Sequence, residues 1–127
     1  MKYFKEIPNI GDLELDQILF QFDKTPMTFV CTDKTGDRYI CQCTDVIINN
    51  SWIITKTSTD ILTKLIRNEI TIVEAFEKSG NKIITVENKT NYKELDFKQL
   101  SDNELPDKNE MLDNSNLSEY ITKLQQE

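Results

Sequence analysis

Met27-Thr28-Phe29-Val30-Cys31-Thr32-Asp33-Lys34-Thr35-Gly36-Asp37-Arg38-Tyr39-Ile40-Cys41-Gln42-Cys43 is the stretch that decides the fold. Its two arms are rich in Val, Ile, Phe, Tyr, Thr and Cys, residues that suit a pleated, half-buried surface. The polar connection Asp33–Asp37 joins them, and Gly36 stands where a type I turn passes into a left-handed residue. The stretch reads as a β-hairpin whose second arm runs on through Val46-Ile47-Ile48. With Asp33 opposite Asp37, Cys31 faces Tyr39 and Cys41 faces Phe29. Side chains alternate along a strand, so Cys31, Cys41 and Cys43 share one face.

Moving toward the N-terminus, Leu13 to Phe22 alternates apolar and polar, but the phase changes near Asp16-Gln17. A bulge is expected there. Lys24-Thr25-Pro26 reads as the next turn, and residues 1–12, punctuated by Pro8 and Gly11, as an irregular lead-in. Toward the C-terminus, Trp52 to Thr57 is a further strand. The period then changes to that of a helix. Ile61, Leu62, Leu65 and Ile66 form one face, with Ser58 or Thr59 as cap. Thr71-Ile72-Val73-Glu74 is a capping box that starts a second helix, with Ile70 and Ala75 at the staple positions; Lys78 and Gly80 close it. Ile83 to Glu87 is a strand, and Tyr92 to Phe97 can pair back onto it.

The resulting class is α+β: a mainly antiparallel sheet of about five strands, with two short helices packed on one face and a C-terminal amphipathic helix. The helix pair falls between the fourth and fifth strands. The expected core is Phe29, Ile40, Ile47, Trp52, Ile54, Leu62, Leu65, Ile66, Phe76, Ile84 and Val86. Residues 1–100 read as a single α+β domain, and residues 101–127 as an acidic linker plus that last helix.

Three of these pieces resemble parts of an uncharacterised family of small bacterial domains. They are the hairpin Asp33–Ile40, the strand Trp52-Ile53-Ile54 followed by Ser58–Leu62, and the run Asn68–Phe76. The resemblance covers roughly residues 8–87. It implies a domain that recurs as a unit, a sheet backed by two short helices, with the tail a local addition. It brings no catalytic residues.

The chemistry is defined largely by what is missing. There is no histidine, which excludes imidazole zinc sites and histidine-dependent triads. Neither P-loop, GxGxxG, GxSxG nor HExxH occurs. Three cysteines are an odd number for a disulfide framework and suit buried thiols in a reducing compartment. A catalytic cysteine needs a basic neighbour to lower its pKa, and Arg38 and Lys56 are the obvious nearby candidates. Asp12, Glu14 and Asp16 share one parity and read as the wet face of a strand, and Asp102 to Glu110 lacks the glycine of a calcium loop. No catalytic, cofactor-binding or metal residues are assigned.

Net charge is −7; residues 1–86 carry ten basic and twelve acidic side chains, and residues 87–127 five and ten. That balance opposes nucleic-acid binding and permits a protein partner with a basic surface. The helix pair carries Glu74 and Glu77 where a DNA reader needs cations. Apolar runs are far too short to cross a bilayer, and Met1–Glu6 lacks a signal-peptide core, so a cytoplasmic location is expected. In the last helix, Leu117, Tyr120, Ile121 and Leu124 form one stripe, with Asn116 and Glu119 as cap. Two dispositions are open. The stripe seats on another protein or a second copy, or it folds back to complete its own core.

The leading expectation is a non-enzymatic protein-binding module: an adaptor, inhibitor or immunity-type protein with Leu117, Tyr120, Ile121 and Leu124 as anchors. The alternatives are an oligomeric accessory protein joined through that helix, and a small enzyme using a metal with carboxylates, or a cysteine.

Overall fold

The hairpin forms in the expected register, with Phe29 paired to Cys41 and Cys31 to Tyr39. The computed structural model describes residues 2–44, 51–88, 91–96, 100, 105–106, 110–112 and 117–126. Asp33 organises the turn. Its carboxylate accepts the backbone N–H groups of Thr35 and Asp37 at 2.9 and 3.0 Å, and Gly36 takes the left-handed conformation (φ 92°). The far part of the second arm, and with it the expected core residue Ile47, lies outside the described residues.

Among the described residues seven strands, not about five, form one antiparallel sheet in simple meander order: β1 (Lys2–Ile7), β2 (Gly11–Phe22), β3 (Thr25–Thr32), β4 (Arg38–Cys43), β5 (Ser51–Lys56), β6 (Ile83–Glu87) and β7 (Asn91–Leu95). The sheet curls into a nearly closed barrel. The expected lead-in is in fact β1. Its alternation is hidden because Glu6 adopts φ 55°, so the buried residues Phe4 and Ile7 fall three apart rather than two. Register also shifts between Leu15 and Gln17, where the phase change placed a bulge, and twice more before Phe22. These bulges give a single sheet the coil it needs to wrap. The β2–β3 turn is made by Asp23 and Lys24, both at positive φ, so Thr25 and Pro26 already belong to β3. Pro26 is tolerated because β4 pairs with β3 only from Thr28 onward.

Between β5 and β6 the chain forms α1 (Thr59–Ile66) and α2 (Ile72–Lys78), as expected. Ser58 caps α1 by accepting from the Ile61 N–H at 3.2 Å. The capping box of α2 is complete, with Thr71 and Glu74 each accepting from the other's backbone N–H at 3.1 and 3.0 Å. The last helix, α3 (Ser118–Gln125), begins at Leu117 with no side-chain cap. Asn116, one half of the expected cap, lies outside the described residues.

Both faces of the sheet are buried. Inside the barrel, Phe4, Phe29, Cys31, Cys41, Trp52, Ile54 and Val86 pack together. Outside it, α1, α2 and α3 cover Leu19, Val30, Ile40, Ile53 and Ile83. The single expected core therefore divides. Phe29, Trp52, Ile54, Ile84 and Val86 belong to the interior; Ile40, Leu62, Leu65, Ile66 and Phe76 belong to the helix side. This explains why β4 is buried at every position and reads as an unbroken run. Leu100 and Leu112 join the helix-side core, and the Ile72 N–H donates to the Glu110 carbonyl at 2.9 Å. That core thus draws on both sides of the boundary expected at residue 100.

Candidate functional site

The four residues expected to anchor a partner sit against this chain's own sheet. Leu117, Tyr120 and Leu124 are buried in the helix-side core and Ile121 packs on it half-buried. α3 packs against α1. Polar contacts fix it as well. The Tyr120 hydroxyl donates to Asp16 at 2.7 Å, and the Lys123 ammonium lies 3.0 Å from the other carboxylate oxygen. Arg38 Nε stands 3.7 Å from the same carboxylate. Asp16 is therefore not on a wet face with Asp12 and Glu14. The bulge turns it under α3, where its side chain is 13% exposed. Burial alone would push this carboxyl up, but the hydrogen bonds from Tyr120 and Lys123 and the nearby Arg38 charge outweigh it and hold it low. Burial first, then Asp16, push the Tyr120 hydroxyl far up.

Cys31, Cys41 and Cys43 share the interior face, as their spacing implied, and all three are buried thiols outside any disulfide. Burial, with Cys31 alongside, pushes the Cys41 thiol up, the opposite of what a nucleophile needs. Neither expected activator serves them. Arg38 lies on the other face beside Asp16, and Lys56 pairs with Asp37 at 3.1 Å. Among the described residues, no three of His, Cys, Asp and Glu come together as a metal site.

The feature that sequence reading missed is the seam. β1 and β7 are the first and last strands of the order, and no strand pairing joins them among the described residues. The Tyr92 hydroxyl spans from β7 to the Lys5 carbonyl on β1 at 2.6 Å. Where the seam meets the end of the barrel there is a cavity of about 140 Å³, floored by Ile54, Ile84 and Tyr39 and overhung by the β1–β2 turn through Pro8 and Ile10. A narrow extension continues it along Ile84 and Tyr92. Lys56, Lys82 and Glu94 form the rim. Their placement follows from register. Lys56 pairs with Tyr39, whose face is the interior; Glu94 pairs with Ile84; and Ile54 pairs with Ile84. The same register continued one inward pair further sets Lys56 across from Lys82. In sequence the signal is an inward alternation that ends in lysine: Trp52, Ile54, Lys56, and Lys82, Ile84, Val86.

The Tyr39 hydroxyl donates to Asp33 at 3.1 Å, and burial together with the Asp33 charge pushes it up to about 12. A second, wider groove of about 530 Å³ lies beside the same end, among Lys2, Glu6, Asp12, Glu14, Asp33 and Lys34. Two of its carboxylates are engaged, Asp12 with Lys2 and the Glu6 N–H, Asp33 with its own turn.

No family model, curated protein or solved structure matches this chain. Among the described residues, no helix is long and apolar enough to cross a membrane. The functional reading therefore rests on the geometry of the seam.

Proposed function

We propose that the chain is a non-enzymatic protein-binding module that meets its partner along the seam between β1 and β7. The observation that supports this is the pair of terminal strands, each hydrogen-bonded to one neighbouring strand among the described residues, with a small cavity at the end of the gap. A strand edge offers backbone donors and acceptors to an extended segment, and adjacent pockets then select its side chains. The edges are guarded against indiscriminate pairing. β1 is bulged at Glu6 and carries Lys2 and Lys5, and β7 carries Lys93 and Glu94. The negative balance of the whole chain favours a partner with a basic surface and an on-rate that falls as salt rises.

This reading moves the contact away from the α3 stripe, which a partner could reach only by displacing the helix.

The test is amide hydrogen exchange on the full chain in complex with the protein it captures from its host. Protection gained along Lys2–Ile7 and Asn91–Leu95 is the expected footprint. Protection confined to α3, or a chain that captures nothing, would sink it.

A further inference from the structure

We infer that the cavity at the end of the seam takes the C-terminal residue of a partner chain, with an aliphatic side chain in the hole and its carboxylate between Lys56 and Lys82. This rests on the seam reading above and names the chemistry of the partner segment.

Size comes first. A cavity of about 140 Å³ is well below the several hundred that enclose a drug-sized ligand or cofactor. It holds one branched aliphatic group. The floor suits such a group, since Ile54, Ile84 and Ile10 supply methyl groups and Tyr39 a ring. The Tyr39 hydroxyl is already turned away to Asp33.

Charge comes second. Lys56 at the end of β5 and Lys82 just before β6 both line the cavity, and like charges so placed are disfavoured. Each has a carboxylate partner, Lys56 in Asp37 at 3.1 Å and Lys82 at 3.4 Å in Glu94, which stands on the same rim and which an incoming carboxylate would displace. All four side chains are about half exposed or more, so these pairs are weak and exchange readily. A carboxylate entering between the two ammonium groups relieves their repulsion while the hydrophobic group fills the hole. A chain end carries both features on one residue. It also carries the backbone that the β1 and β7 edges can pair, which a free short-chain acid does not.

The probe is N-acetyl-Ala-Ala-Leu with a free carboxylate, followed by methyl NMR of the full chain. The expected result is shifts at Ile10, Ile54 and Ile84. Affinity should fall roughly tenfold or more when the peptide is amidated, and similarly in the double variant Lys56→Gln/Lys82→Gln. Both lysines are exposed, so that variant should fold, and unchanged amide spectra elsewhere confirm it. No shifts, equal binding by the amide, or equal binding by isovalerate, which has the same group and charge but no chain, would each overturn the inference. The seam reading is judged separately. A captured partner that still protects β1 and β7 in the double variant, at unchanged affinity, defeats the carboxylate assignment and leaves the seam standing.

Discussion

The two faces of the sheet are equally buried but are built differently. The barrel interior is built by the meander, in which each strand pairs with the next, and its curl brings the rings of Tyr3, Phe4, Phe29 and Trp52 from β1, β3 and β5 to 4.7 to 6.5 Å of one another. The helix side gathers distant pieces, from Leu19 on β2 to Leu124 on α3, and fastens the last one with a polar cluster around Asp16. Most strand pairs close short loops and gain contacts early, whereas the β5–β6 pair and the docking of α3 have to close long ones. The interior should therefore behave as the cooperative core, and α3 as a unit that can open by itself.

The sharpest way to break this contrast is inside the barrel. Phe29→Ala removes a ring that Tyr3 and Phe4 both touch, and should cost about 3–5 kcal/mol, lowering the urea midpoint of the whole fold followed by Trp52 fluorescence. A loss under about 1 kcal/mol would mean the interior is not the cooperative core. Leu124→Ala should cost less, about 2–3 kcal/mol, and locally. Exchange protection should drop in α3 while β3 to β5 keep theirs; a uniform drop would join the two regions into one unit.

Asp16→Asn tests the fastening itself. It removes the anion facing Lys123 and Arg38 but keeps the side-chain shape, and should weaken α3 docking by about 1–2 kcal/mol. The pH dependence has a defined sign. Asp16 is held below its unfolded value of about 4, so its contribution is fully present above that pH and is lost as pH falls through the lower folded value. The native chain should release α3 progressively below about pH 4, and the variant should lack that part of the acid response. Exchange rates of α3 amides against pH provide the measurement.

Much of the fold is legible before any coordinates. The β3–β4 register, the shared face of the thiols, the bulge near Asp16, both caps and the place of α1 and α2 all follow from short-range rules. β1 was not legible, because one left-handed residue, Glu6, breaks its alternation. The candidate site was not legible either. Its residues come from the β1–β2 turn and from strands β4, β5, β6 and β7, and a lysine that ends an apolar alternation looks in sequence like any solvated strand end.

Local sequence determined which residues form strands, helices and turns, because alternation, caps and left-handed positions act within a few residues. It did not determine that a seven-stranded meander curls until both faces are buried, because curl accumulates from small twists and bulges over the whole sheet. Nor did it choose between the two dispositions of the last helix. Its stripe would suit a partner as well as its own chain, and the tertiary structure decided by packing the helix against α1 within the helix-side core and turning Asp16 inward to meet Tyr120 and Lys123.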